Sequence, residues 1–265
     1  MTEGTKATAS LDPGQGRRLR HWYDLRSHEK TPMLNSDLDV SRYADELARR
    51  GRTQVHDFLQ PEAADALHQC LAQDVPWTLA YRDRAGAKVM DHAELAARGE
   101  PGEREFLAQL YAEARGAYGF AYESYMMVRA YLEQRDEGLL LHRLLEFLNC
   151  PDYLAFARAL TGDARVRRMN AQATRYRGGH FLKLHDDFNA EEGRLYAYVI
   201  NLTREWKADW GGLLQFLDAE GRVIDTLMPR WNSLSIFRVP APHVVSLVAP
   251  WAEGERLAVT GWMLT

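Results

Sequence analysis

The sequence predicts an α+β fold that is mainly β: a sandwich, jelly roll or barrel of short strands, with supporting helices ahead of it in the chain. Three observations predict it. After Gly162, short β-type segments follow one another with turn residues between them: ARVRRMNAQATRY, GHFLKLHDD, RLYAYVINL, GLLQFLD, RVIDTLM, SLSIF, HVVSLV and RLAVTGWML. That spacing belongs to closed or sandwiched sheets. Before Gly162 the apolar residues recur mostly at helical spacing. The length of 265 residues, 46% of them apolar and 26% charged, supports one large domain with additions.

In chain order, residues 1–20 are polar and Gly/Pro-bearing, which predicts a disordered tail, with order beginning within Trp22–Leu34. Residues 21–265 read as a single domain, 21–162 giving a helical support with the first strands and 163–265 the β core. Pro61 opens PEAADALHQCLAQ at a first helical position, with Leu67 and Leu71 on one face. VPWTLAY alternates Trp77, Leu79 and Tyr81 as a strand does. EREFLAQLYAEA (103–114) carries an apolar helical stripe of Phe106, Leu107, Leu110 and Tyr111. LLLHRLLEFL (139–148) follows, and Pro151 starts a second helix that Gly162 can end in a left-handed cap. DAEGR, between two β segments, is a hairpin signal.

Composition narrows the function. No apolar stretch approaches the ~18 residues of a membrane span, and the first twenty residues lack the apolar core of a secretory signal, so the expected location is cytoplasmic. A net charge of −4 counts against a dedicated nucleic-acid binder. Cys70 and Cys150 have no ligand spacing to each other, which predicts two reduced thiols. Oligomeric state is not legible.

The chemistry concentrates at His185-Asp186-Asp187. On a strand, residues i and i+2 share a face, so His185 and Asp187 are expected to converge while Asp186 points away. His243, at the start of the β-run VVSLV, supplies a second imidazole. Two histidines and one carboxylate leave three coordination positions open, an arrangement suited to non-haem Fe(II) and O₂. A lone H-x-D is also compatible with a satisfied His–Asp hydrogen bond. In the last segment, alternation puts Arg256, Ala258, Thr260 and Trp262 on one face and Leu257, Val259 and Met263 on the other. A guanidinium with a hydroxyl two pleats on suits a carboxylate, because its planar fork binds one bidentately. A surface Arg256 paired with Glu253 or Glu255 is the plainer alternative.

Taken together, RYRGGHFLKLHDD, GRLYAYVINLTREWKADWGGLLQFLD, PRWNSLSIFRV, PHVVSLV and RLAVTGW resemble the Fe(II)/2-oxoglutarate-dependent oxygenases of the prolyl-hydroxylase-like branch, over roughly residues 165–265. The resemblance implies a double-stranded β-helix (jelly roll, cupin-like) and the cofactors Fe(II), 2-oxoglutarate and O₂, with ascorbate as a candidate reductant. It implies that His185, Asp187 and His243 bind iron and that Arg256 pairs with the distal carboxylate of 2-oxoglutarate. Thr260 and Tyr176 would add hydrogen bonds and Trp262 would wall the pocket; Arg194 falls where peptidyl-prolyl members hold a substrate-positioning arginine. Gly211 and Gly212 match the family's tight turn. Two departures stand out. Asn201 occupies the place of a tyrosine that reaches the cosubstrate in many relatives, and the His243–Arg256 interval is long.

His180, just ahead of His185, is a candidate for the mouth of the pocket. Arg165, Arg167, Arg168, Arg175, Arg177 and Lys183 form either a solvated face or a basic rim for an acidic partner. Tyr118, Tyr122, Tyr125 and Tyr131, with Met126 and Met127, form an aromatic stretch that belongs either to the core or over the pocket. The leading expectation is a dioxygenase hydroxylating a prolyl residue of a protein or peptide, giving succinate and CO₂. The alternatives are a hydroxylase of a free amino acid or other small metabolite, and a non-catalytic cupin-like metal-binding or sensing module.

Overall fold

The computed structural model describes residues 33–265; the tail expected over 1–20, with His21 and His28, lies outside them. Seven helices are described: α1 (Val40–Arg50), α2 (Pro61–Gln73), α3 (His92–Ala97), α4 (Gly99–Ala114), α5 (Met127–Leu132), α6 (Leu140–Leu148) and α7 (Pro151–Thr161). Local chemistry sets their ends. The Asp39 carboxylate accepts the Arg42 N–H at 3.1 Å and caps α1. Pro61 and Pro151 occupy first-turn positions, where a missing N–H costs nothing. Gly162 ends α7 with φ +66°.

The strands are β1 (Arg52–Val55), β2 (Thr78–Asp83), β3 (Gly86–Met90), β4 (Phe120–Tyr125), β5 (Arg168–Met169), β6 (Gln172–Tyr176), β7 (Phe181–His185), β8 (Arg194–Asn201), β9 (Leu214–Leu217), β10 (Val223–Leu227), β11 (Ser233–Arg238), β12 (His243–Val245) and β13 (Arg256–Leu264). Every named ladder is antiparallel. One sheet runs β11-β8-β13-β6 and the other β7-β12-β9-β10, and β4 pairs both β6 and β7, joining them along one side. On the other side β1 extends β11, and its Arg52 meets Asp225 of β10 at 2.6 Å. An ion pair therefore bridges the gap where no ladder forms. This is the expected jelly roll.

Two faces of the first sheet do different work. Its outer face carries Ile200, Leu234, Ile236, Leu257, Val259 and Met263, which share one buried cluster with Leu47, Leu67, Leu71, Leu144, Leu148 and Tyr153 of the helices. Each such side chain contributes on the order of 1.5–3 kcal/mol by leaving water. Its inner face, with Ala197, Val199, Phe237 and Ala258, meets Leu214 and Phe216 of the second sheet. β4 has no counterpart in the sequence reading because it is buried on both faces save for Tyr122 and so shows no alternation. The aromatic stretch is thereby divided. Tyr118 and Tyr122 approach the barrel interior, whereas the hydroxyls of Tyr125 and Tyr131 donate to Asp136 and Glu146.

Candidate metal and cosubstrate site

Two irregularities of β7 aim the metal-ligand candidates. Phe181 and Lys183 point outward: Phe181 packs with Leu107 and Leu110 of α4, and Lys183 Nζ donates to the carbonyls of Ala114 and Ala117. Simple alternation sends His185 the same way. The β7–β12 register prevents it, because His243 faces His185 while Val245 faces Leu182, so three residues of β7 span two of β12. This bulge turns His185 inward. Asp187 lies beyond the end of β7 with φ +62°, a left-handed conformation that few non-glycine residues adopt. An Asx turn, in which the Asp186 carboxylate accepts the Phe188 N–H at 3.0 Å, brackets it. The convergence expected from strand alternation comes instead from a bulge and a turn.

His185 Nε2 lies 3.6 Å from Asp187 Oδ1, His243 Nε2 lies 3.5 Å from Asp187 Oδ2, and the imidazole centroids are 4.0 Å apart. One ligand atom from each residue falls within 4.8 Å of the others. His185 Nδ1 donates to the Lys183 carbonyl at 2.8 Å and His243 Nδ1 to the Ala241 carbonyl at 2.7 Å. A carbonyl only accepts, so both Nδ1 atoms carry protons, and both Nε2 atoms face Asp187. Burial, and then the neighbouring His185, lowers the His243 pKa to about 4, which leaves a neutral imidazole able to ligate at pH 7. The His–Asp separations exceed hydrogen-bond lengths, whereas ligand atoms ~2.1 Å from one ion at right angles lie about 3 Å apart. Phe237 and Phe216 back the His243 ring, at centroid distances of 4.7 and 6.1 Å.

Deeper in the same interior, Arg256 is 3% exposed. Its guanidinium carbon lies 5.1 Å from the centroid of Tyr176, its register partner on β6, and Tyr176 stacks on Tyr122 at 5.0 Å. Arg256 Nε is buried without a hydrogen bond, and no carboxylate pairs with the guanidinium among the described residues. Burial holds its pKa below the usual arginine value. An unpaired buried cation costs several kcal/mol, and a bidentate carboxylate is the group that relieves that cost. Gly212, at φ +62°, closes this end: a Cβ there would lie 3.1 Å from Trp206 and Val248 and 3.6 Å from Arg256 Cδ. Thr260 and Trp262 continue β13 towards the histidines, both half-buried.

Other expectations fall differently. His180 is no mouth residue: it is 1% exposed, its Nδ1 accepts the Arg177 N–H at 3.1 Å, and burial lowers its pKa to about 4. It precedes β7 and packs under the Gly178–Gly179 turn instead of following β7 to the opening. Asn201 is committed elsewhere, its amide donating to the Ser233 and Ser235 hydroxyls, each at 3.2 Å; a side chain this short reaches the next strand and no further. Most of the basic segment is neutralised internally. Arg175 and Arg177 share Glu123, Arg165 pairs with Asp163, and Lys183 caps α4. Arg194 is beside the metal candidates, its Nη1 donating to the Asp187 carbonyl at 3.2 Å. Tyr118, expected either in the core or over the pocket, lies 6.1 Å from His185 between ring centroids, and Trp206, singled out for no role by the sequence, packs against Gly212. Only the pairing of β4 and the packing of the β8–β9 loop reveal them.

Comparison with known proteins agrees with this geometry. Residues 171–264 match the family model described as 2OG-Fe(II) oxygenase superfamily. A prolyl 3-hydroxylase of Xenopus laevis is 28% identical over 117 residues, covering 42% of this chain and 22% of that protein; the chain thus spans less than a quarter of the curated relatives it matches. A Pseudomonas putida prolyl-4-hydroxylase superposes with a TM-score of 0.51 at 20% identity, over 85% of this chain and 98% of that one. A Trichoplax adhaerens prolyl hydroxylase, solved with a hypoxia inducible factor peptide fragment, gives 0.51 at 14% identity over 96% and 94%. At these identities the structural likeness speaks for the jelly roll alone. Residues 171–264 are thus similar to the 2OG-Fe(II) oxygenase superfamily, and the chain shares the jelly roll of these two prolyl hydroxylases.

Proposed function

We propose that this protein is an Fe(II)- and 2-oxoglutarate-dependent dioxygenase that hydroxylates an unactivated C–H of a prolyl residue in a protein or peptide, with succinate and CO₂ as co-products. One observation carries the reading: a His-Asp-His triad shares its interior with a buried guanidinium that has no carboxylate partner among the described residues. A metal store has no use for the second feature. The donor set, two imidazoles and one carboxylate, suits Fe(II), and the unpaired Arg256 suits the far carboxylate of the cosubstrate.

When bound, iron and 2-oxoglutarate supply the activation of O₂ that hydroxylates carbon. The chain's own residues bind and orient. The Nδ1–H tethers fix the rings of His185 and His243, Arg256 neutralises the distal carboxylate, and Thr260 and Tyr176 add donors. Neither of those two hydroxyls hydrogen-bonds another described residue. Trp262 walls the pocket, and the aromatic rings behind His243 keep bulk water from that side. A polypeptide substrate is supported by the opening. The His185 side chain is 18% exposed, and Phe188, immediately after the triad's carboxylate, is 55% exposed, so an exposed apolar side chain stands beside a ligand that solvent partly reaches.

The test is succinate formation from 2-oxoglutarate by iron-loaded protein, with and without proline-containing peptides, and mass spectrometry of the peptides. Peptide-stimulated succinate with a 16 Da gain on proline is expected. Hydroxylation of free proline alone would replace the polypeptide by a metabolite, and absence of any 2-oxoglutarate turnover would defeat the enzyme reading.

A further inference from the structure

The structure assigns Arg194 to a different task from the one its family position suggests: we infer that it is a positioning residue that holds the carboxylate of Asp187 towards the two histidines. The inference rests on the metal reading above.

Asp187 needs such a support. It has left the β7 ladder and sits at φ +62°, a conformation that costs a non-glycine residue free energy and persists only when its surroundings impose it. Ahead of it the Asp186 carbonyl still accepts the Ala241 N–H at 3.3 Å, but no strand includes Phe188 after it. What reaches its backbone is Arg194, the first residue of β8, whose Nη1 donates to the Asp187 carbonyl at 3.2 Å and lies 3.9 Å from Asp187 Oδ1.

The guanidinium is itself immobilised on two further sides. Its Nε donates to Glu192 at 2.9 Å, and its face lies 3.5 Å from the centroid of the Trp262 ring. The side chain is only 6% exposed. The planar fork thus ties the turn carrying the ligand to β8 and, through Trp262, to β13. Of its three nitrogens, only Nη2 is left buried and without a partner among the described residues. A guanidinium engaged in this way is a fixed strut, and a residue kept in reserve for substrate has no need of three anchors.

Support of this kind acts on metal affinity, since outer partners of metal ligands typically govern affinity 10- to 100-fold. The experiment is titration of the metal-free full chain with Co(II), followed by its visible absorption, for wild type, Arg194→Ala, Arg194→Lys and Glu192→Gln, with the melting temperature of each metal-free protein alongside. Arg194→Ala is expected to weaken Co(II) binding roughly 10- to 100-fold. Arg194→Lys, which can reach the carbonyl but not bridge three groups, recovers part of the loss. Glu192→Gln, which loosens one anchor without opening the buried stack, weakens binding a few-fold, and it decides the matter if Arg194→Ala fails to fold. Co(II) affinity unchanged in the folded variants would overturn the inference and return Arg194 to the substrate. A wild type that binds no Co(II) would instead sink the metal centre itself, a separate result.

Discussion

Replacing Arg256 by alanine has two opposed consequences, and both follow from its environment. In the free protein the guanidinium is buried with no carboxylate among the described residues and with Nε unsatisfied. Removing it relieves a desolvation cost and forfeits its contact with Tyr176, which is worth about 0.5–2 kcal/mol, and the packing of its stem beside Gly212. These terms offset, so the melting temperature of the cosubstrate-free variant is expected to stay within a few degrees of wild type, at roughly 2–4 °C per kcal/mol for a chain of this size. With 2-oxoglutarate the balance changes sign. A carboxylate must then be buried without its partner, a loss on the order of 2–5 kcal/mol. At ~1.4 kcal/mol per decade, affinity falls roughly 30-fold to more than 1,000-fold. Co(II) binding should be unaltered, because Arg256 touches none of the three ligands. Arg256→Lys restores charge without the fork and recovers only part. Succinate formation against 2-oxoglutarate concentration is the assay, and an unchanged half-saturation in Arg256→Ala would place the distal carboxylate elsewhere and refute the argument.

Three further outcomes are expected. His243→Ala and Asp187→Ala should each abolish stoichiometric iron in the purified protein, measured by metal analysis, while far-ultraviolet circular dichroism stays that of the wild type; full iron content in both would contradict the triad. Gly211→Ala should be the more destabilising of two adjacent changes, because its Cβ would sit 2.0 Å from the Leu247 carbonyl oxygen, whereas Gly212→Ala meets side chains at 3.1 Å and should chiefly raise the 2-oxoglutarate half-saturation; equal melting temperatures would tell against this. Stability should depend on His180, whose folded pKa of about 4 lies below its unfolded value near 6.5. The unfolded chain therefore takes up the proton first as pH falls, so the contribution is complete above about 6.5 and is lost towards pH 4, by about 2 kcal/mol between pH 7 and 5. Urea unfolding of His180→Gln should show a correspondingly weaker dependence over that window, and an identical slope would show that His180 does not titrate there.

What the sequence by itself determined is whatever depends on neighbours along the chain. Proline and glycine marked the ends of α2 and α7, short β segments with turns marked the barrel, and the alternation Arg256, Ala258, Thr260, Trp262 against Leu257, Val259, Met263 sorted β13 into an inner and an outer face. The three candidate ligands were legible as residue types for the same reason. Their geometry was not. His185 faces inward because the register of β7 slips against β12, and Asp187 turns towards it in a left-handed conformation; a register is a property of two strands distant in sequence. β4 escaped notice because a strand buried almost throughout has no period to read. The fates of Asn201 and His180, and the pairing of the basic segment with Glu123 and Asp163, were likewise decided by contacts across the fold. A single chain position specifies which group is available, but burial and partners, set only when strands and helices meet, decide what that group faces.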